Sequence, residues 1–176
     1  MIFRGGIAPV EGKRPGGKAD MSKSAKILGL IFWVGFSLSA GLAGSRWLPG
    51  DWYAALVKPS WNPPNWIFGP VWTLLYILMG IAAWLVWRRG ETARVGAALG
   101  AFVFQIILNA LWSYLFFGAH RMGLALVEIV ILWLAILATA LLFRVHSRAA
   151  AYLLVPYLLW VGFATALNTA LWRLNA

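Results

Sequence analysis

The chain has 176 residues, of which 62% are hydrophobic and 11% charged, with a formal net charge of +10 and no cysteine. Soluble domains carry nearer a quarter of charged residues to coat a wetted surface, so this composition excludes a water-soluble globule and makes lipid the solvent. The missing cysteines exclude disulfides, thiolate metal sites and cysteine nucleophiles. The Lys and Arg residues lie between apolar runs and form no basic face for a nucleic acid.

In chain order, residues 1–20 are rich in Gly and Pro without periodicity and read as a disordered basic tail that extends to about residue 25. Met21-Ser-Lys-Ser-Ala-Lys26 reads as a natural translation start in its own right. Five apolar runs follow: Ile27–Gly44, Ile67–Trp87, Val95–Phe117, Met122–Phe143 and Ala149–Leu171. Each is about long enough to cross the hydrocarbon at about 1.5 Å per residue. The first exceeds the roughly 7–15 apolar residues of a signal-peptide core, which favours a retained span. The connectors 88–94, 118–121 and 144–148 are short enough to force antiparallel neighbours. The expected fold is an all-α membrane protein, a five-transmembrane-helix bundle over residues 26–173.

Orientation follows from counting Lys and Arg on the two sides. Arg4, Lys13, Arg14, Lys18, Lys23 and Lys26 in the tail join Arg88, Arg89, Arg94, Arg144 and Arg148 in the second and fourth loops, eleven in all. Arg46, Lys58, Arg121 and Arg173 make four on the other side. Cytoplasmic loops concentrate these residues, so the N-terminus is expected in the cytoplasm and the C-terminus outside.

The one long connector, Ser45–Trp66, exceeds the length usual for a structureless loop and reads as a lid or binding loop. Pro49, Pro59, Pro63 and Pro64 limit its entropy, and Asp51 is placed to cap a short helix through Leu56. Trp47 and Trp66 fit an interfacial aromatic belt as well as they fit a lid. Trp61, between Pro59 and Pro63, reads as part of the lid itself.

Helical spacing then groups the aromatic and amide residues of three spans. Gln105, Asn109, Trp112 and Phe116 share one face of the third; Trp72, Tyr76, Ala83 and Trp87 share one of the second; Tyr157, Trp160, Ala164 and Asn168 share one of the fifth. Amides in hydrocarbon must find partners, so these faces look inward, either as interhelical hydrogen-bond glue or as the walls of a ligand pocket. Their joint occurrence under a rigid lid favours the pocket. Pro156 predicts a kink in the fifth span. Glu128, the one charge inside a span, reads equally as a relay group or as the partner of Arg121. Gly96-x-x-x-Gly100 and Ala97-x-x-x-Ala101 allow close helix approach on the third span, between copies or within one bundle. Ser37-x-x-x-Gly41 on the first span competes with them as a dimer contact.

Several motifs in order complete the picture: Trp52-Tyr53, Lys58-Pro-Ser-Trp-Asn-Pro-Pro64, Phe68-Gly-Pro-Val-Trp-Thr73, Gln105…Asn109-Ala-Leu-Trp-Ser113, Phe116-Phe117, and Val155-Pro-Tyr-Leu-Leu-Trp160…Ala164-Thr-Ala-Leu-Asn168. Together, over about Lys26–Arg173, they resemble the translocator protein or tryptophan-rich sensory protein (TspO/MBR) family. The resemblance implies a five-helix bundle, commonly a homodimer, that binds porphyrins, haem and often sterols in a pocket beneath the first loop. By the same resemblance Tyr53 and Trp61 would be the loop aromatics, and Trp72, Asn109, Ser113, Trp160 and Ala164 the pocket residues. One departure weakens the sterol reading. Leu167 and Arg173 fit a sterol-recognition pattern, but Thr169 stands where a tyrosine is expected.

The expected function is a bacterial-membrane binding or sensory protein for a tetrapyrrole such as haem or protoporphyrin, coupled to transport or to regulation of tetrapyrrole metabolism. It needs no cofactor of its own and no metal, and its partners are the ligand, the lipid and a second copy, with no nucleic acid. A porphyrin-degrading enzyme working by redox or photochemistry at Trp72 is the alternative. His120 and His146 lie on opposite sides and the five acids are scattered, so no ordinary catalytic set supports it. A sterol or small-molecule transporter is a third reading, though no inverted repeat is visible.

Overall fold

The structure, a computed structural model, describes residues 21–90 and 93–176. The reading of residues 1–20 as a disordered tail therefore lies outside the described residues. The described chain is all helical: α1 (Lys23–Gly44), α2 (Asp51–Ala55), a 3-10 turn (Asn65–Ile67), α3 (Phe68–Trp87), α4 (Ala93–Ser113), a π-helical turn (Tyr114–Gly118), α5 (Met122–His146), α6 (Arg148–Leu153) and α7 (Val155–Asn175). Among the described residues five stretches are long and apolar enough to cross a membrane: Lys23–Gly44, Asn65–Trp87, Arg94–Gly118, Met122–His146 and Arg148–Asn175. The protein is a multi-pass, five-helix membrane bundle.

Local chemistry accounts for the boundaries. The Ser22 hydroxyl accepts the Ala25 N–H at 3.1 Å and starts α1 before the apolar run begins, within the segment assigned from sequence to the tail. Asp51 does not cap α2. Gly50 is the cap and makes no side-chain bond, while Asp51 is the first helical residue, where its charge suits the helix N-terminus. Ser147 serves two helices: its backbone N–H closes α5 on Phe143 O at 2.7 Å, and its hydroxyl accepts from Ala150 N at 3.3 Å to open α6. Pro156 interrupts the fifth span as its position predicts. The helix breaks at Leu154 and restarts as α7, with the proline in the first turn, where a missing N–H costs nothing.

The spans close a ring in which α1 packs on α3 and α4, α3 on α6 and α7, and α5 on α4, α6 and α7. Lipid supplies no hydrophobic drive between helices, so close van der Waals approach must hold the ring. Gly80 supplies it on α3: a Cβ there would lie 2.5 Å from Val34 Cα and 2.8 Å from Trp33 O of α1. Ser37 is fully buried and Gly41 abuts the Tyr76 ring, so that small-residue stripe is spent inside the bundle. Gly96 and Gly100 face open space. The half of the ring away from the long loop is filled by Met79, Val86, Phe102, Ile136 and Phe143, all fully buried. The half beneath the loop is not filled.

Candidate functional site

A cavity of about 550 Å³ occupies the loop end of the ring. Phe68, Trp72 and Tyr76 of α3 line it, spaced four residues apart along one helix face. Trp112 and Ser113 of α4, Phe116 of the π turn, and Trp160, Ala164, Leu167, Asn168 and Leu171 of α7 form further walls. Gly41 and Gly44 of α1 complete them, and Trp47, Leu48 and Tyr53 close it from the loop. After Ser113 the backbone widens into the π turn, and the adjacent Phe116 and Phe117 both reach the cavity. Two ring pairs in the walls are stacked: Trp72 with Tyr76 (5.5 Å, 27°) and Trp112 with Phe116 (5.1 Å, 22°).

Hydrogen bonds fix these rings in place. The Tyr76 hydroxyl donates to Asn109 Oδ1 at 2.7 Å, and Asn109 Nδ2 donates to the Tyr157 hydroxyl at 3.1 Å, tying α3, α4 and α7 together beneath the cavity. To one side, Trp112 Nε1 donates to Asn168 Oδ1 at 3.3 Å and Asn168 Nδ2 to Met122 O at 3.0 Å. Trp84 and Trp133 likewise donate their indole N–H groups to backbone carbonyls. Trp72 and Trp160 have no such acceptor among the described residues, so their N–H groups remain for an occupant of the cavity they line.

The loop is a folded lid. Tyr53 is buried, its hydroxyl donates to Asn62 Oδ1 at 3.0 Å, and its ring meets Phe117 edge-on at 5.5 Å. Burial pushes the phenol above its ordinary value, and the bond to Asn62 partly offsets this. Lys58 Nζ lies 4.9 Å over the same ring and donates to Ala54 O and Leu56 O. Trp47 nests on Gly118, where a Cβ would lie 2.6 Å from the indole. Trp52 stacks on His120 at 4.1 Å; His120 takes a left-handed φ of 55°, uncommon for a side-chain-bearing residue, in the tight turn before α5.

Five of the seven residues singled out from sequence, Tyr53, Trp72, Ser113, Trp160 and Ala164, line one cavity. Asn109 stands beneath it and ties the lining residue Tyr76 to the buried Tyr157. Trp61 lies outside the lining, half exposed, with its ring on Phe163, which in turn tilts against Trp160 at 5.5 Å. Trp47 and Trp66 separate: the first lines the cavity, while the second is 74% exposed. Phe68, Gly41 and Gly44 were not singled out. Phe68 sits one turn before Trp72, so its spacing could have found it, whereas a glycine that makes room for a cavity leaves no mark in a single sequence. Glu128 is buried and neither oxygen has a hydrogen-bond partner among the described residues, and it forms no ion pair with Arg121. Among the described residues no three His, Cys, Asp or Glu side chains gather as metal ligands.

Over residues 27–173 the chain matches the model of the TspO/MBR family. It is 46% identical over 157 residues to the tryptophan-rich protein TspO of Chlorobaculum tepidum, a match that covers 85% of this chain and 98% of that protein. It is 44% identical over 150 residues to the human translocator protein, covering 81% of this chain and 89% of the relative. Protein CrtK of Rhodobacter capsulatus is 45% identical over 139 residues, covering 77% and 86%. The match takes in all five spans, the lid and the cavity walls, and the chain belongs to the TspO/MBR family.

Proposed function

We propose that this protein binds a porphyrin-type tetrapyrrole, haem or protoporphyrin, in the cavity under the loop, as a membrane-embedded sensory or carrier protein. The observation that carries the reading is an aromatic cavity lined by indoles, Trp72 and Trp160 among them, whose N–H groups have no acceptor among the described residues. Its volume of about 550 Å³ lies within the roughly 300–1,000 Å³ of small-molecule sites. Stacked rings in the walls suit a flat π-system, and the Trp72 and Trp160 N–H groups and the Ser113 hydroxyl suit acceptors at its edge. Arg46, exposed between the lining residues Ser45 and Trp47, is the cation that would meet a propionate at the mouth. Lys58 is already engaged by the lid. Thr169, in the position of the sterol-pattern tyrosine, turns its hydroxyl back to Thr165 O at 2.8 Å, which favours tetrapyrrole over sterol.

Titration of purified protein in nanodiscs with protoporphyrin IX, read by quenching of tryptophan emission, tests the reading. Truncating a buried aromatic anchor costs about 2 kcal/mol or more, so Trp160→Ala should weaken binding roughly thirtyfold. Asn109→Ala should cost less, because Asn109 acts through Tyr76 and Tyr157. Trp66→Ala, at an exposed indole outside the cavity, should leave the affinity unchanged. Equal losses for Trp66→Ala and Trp160→Ala would mean that quenching reports partitioning into lipid, and the proposal would fall.

The same reading includes a bacterial cell membrane with the N-terminus in the cytoplasm. A C-terminal alkaline phosphatase fusion should be active in a bacterial host, and an inactive, well-expressed fusion would reverse the orientation.

A further inference from the structure

The lid is fastened to the bundle by a contact that lies outside the cavity. Asn175, the last residue of α7, grips the backbone of Val57 from both sides. Its Oδ1 accepts the Val57 N–H at 2.9 Å, and its Nδ2 donates to the Val57 carbonyl at 2.9 Å, across 118 positions of sequence. The same Nδ2 donates to Leu171 O at 2.8 Å, which fixes the amide on its own helix. A side chain thus supplies the two-bond pairing that a neighbouring strand would otherwise give Val57.

The location of Val57 gives the contact its consequence. On one side of it in the chain is α2, whose Tyr53 closes the cavity; on the other is the proline-rich stretch that carries Trp61. The remaining hydrogen bonds of this stretch are internal: Tyr53 to Asn62, Lys58 to Ala54 and Leu56, and Asn62 to Pro63. The other ties to the bundle among the described residues are apolar and ring contacts: Trp52 on His120 and Phe116, Tyr53 on Phe116 and Phe117, and Trp61 on Phe163. Among the described residues, Asn175 makes the only side-chain hydrogen bonds between loop residues 48–64 and the spans.

We propose that Asn175 is a latch, a positioning residue that holds the lid closed and sets how fast a ligand enters and leaves the cavity. The proposal rests on the reading of the cavity as a ligand site. The latch is made in the closed lid whether or not the cavity is filled, so it contributes equally to the free and the bound closed states. Its loss should therefore raise the open fraction, and with it both rates, while leaving the equilibrium nearly unchanged. Two exposed hydrogen bonds of ordinary net strength correspond to about a tenfold change in lid opening.

The test uses Asn175→Leu, which keeps the shape and loses both bonds, and Asn175→Asp, which keeps an acceptor for the Val57 N–H but no donor for its carbonyl. Full-length protein in nanodiscs is mixed with protoporphyrin IX in a stopped-flow instrument. Association and dissociation rates should both rise about tenfold in Asn175→Leu, with Kd within about twofold of wild type, and Asn175→Asp should fall between. In ligand-free protein, amide hydrogen exchange should quicken in peptides covering residues 48–64 and stay unchanged in α3 and α5. Unchanged loop exchange in Asn175→Leu overturns the latch. So does a Kd that rises with dissociation at constant association, because that marks damage to the cavity. If wild-type protein leaves protoporphyrin unbound, the reading of the cavity fails, and the loop exchange alone then decides whether Asn175 holds the lid.

Discussion

Gly80→Ala adds one methyl group at the crossing of α1 and α3. The new Cβ would lie 2.5 Å from Val34 Cα and 2.8 Å from Val34 N and Trp33 O, all on α1. These three atoms belong to backbone or carry it, so no side-chain rotation can relieve the overlap. Ordinary contact begins near 3.4 Å, so α1 must retreat by about 0.9 Å. A gap of about 0.5–1 Å forfeits a quarter to a half of each dispersion contact, and α3 is the helix on which α1 packs most extensively. Overpacking of this kind costs about 1–3 kcal/mol, and alanine returns up to about 1 kcal/mol through its better helix propensity. The net expectation is a loss of about 1–2 kcal/mol, or a melting point lower by about 3–6 °C in a protein of this size.

Thermal unfolding in detergent, followed by tryptophan emission, would measure the shift. Gly35→Ala is the matched control, since Gly35 lies on the partner helix α1 and a Cβ there meets nothing within 4 Å. It should melt at or slightly above wild type. A Gly80→Ala protein as stable as the Gly35→Ala protein would refute the close crossing, and with it the account of how the ring holds together.

Two further outcomes follow from the same structure. Glu128→Met removes two buried oxygens that have no partner among the described residues and replaces them with apolar volume, so it should raise the melting point by a few degrees; a fall would reveal a partner for the carboxyl. A homodimer joined at α4 would use Gly96 and Gly100, which face away from the bundle, so Gly100→Leu should leave monomer stability intact and abolish crosslinking through an Ala97→Cys pair; dimers that persist at full yield would move the interface to another helix.

The spans were legible because their signal is length and hydropathy, which neighbours do not alter. Three inward faces were legible for a related reason: an amide in hydrocarbon has to turn towards a partner, and Asn109 and Asn168 both found theirs. What each amide does was less legible. Asn109 shares a face with Trp112, yet one supports the cavity floor and the other forms a wall, because the floor lies where Tyr76 and Tyr157 reach α4 from either side. The π turn left no trace at all, since Tyr114–Gly118 has the composition of any apolar helix end. Nor did Asn175, whose partner Val57 is distant in sequence and offers only its backbone. Contacts to backbone carry no residue preference on the receiving side, so pattern reading passes over them.

The position of the cavity follows from how side-chain size is distributed along the helices. Away from the loop, α3 carries Gly80, Ala82 and Ala83 and α4 carries Ala98, all fully or nearly fully buried, and helices with such faces can close on one another. The space that remains there is taken by Phe102 stacked on Phe143 at 5.9 Å. Towards the loop, α3 carries Phe68, Trp72 and Tyr76, α4 and the π turn after it carry Trp112 and Phe116, and α7 carries Trp160. Rings of that size hold the backbones apart, and the Tyr76–Asn109–Tyr157 and Trp112–Asn168–Met122 bonds keep them from collapsing into the gap between them. A cavity held open in this way has its walls oriented before any ligand arrives, so binding need not order them. The entropic cost that remains is that of the lid, and two of the hydrogen bonds that meet it come from Asn175 at the far end of the chain.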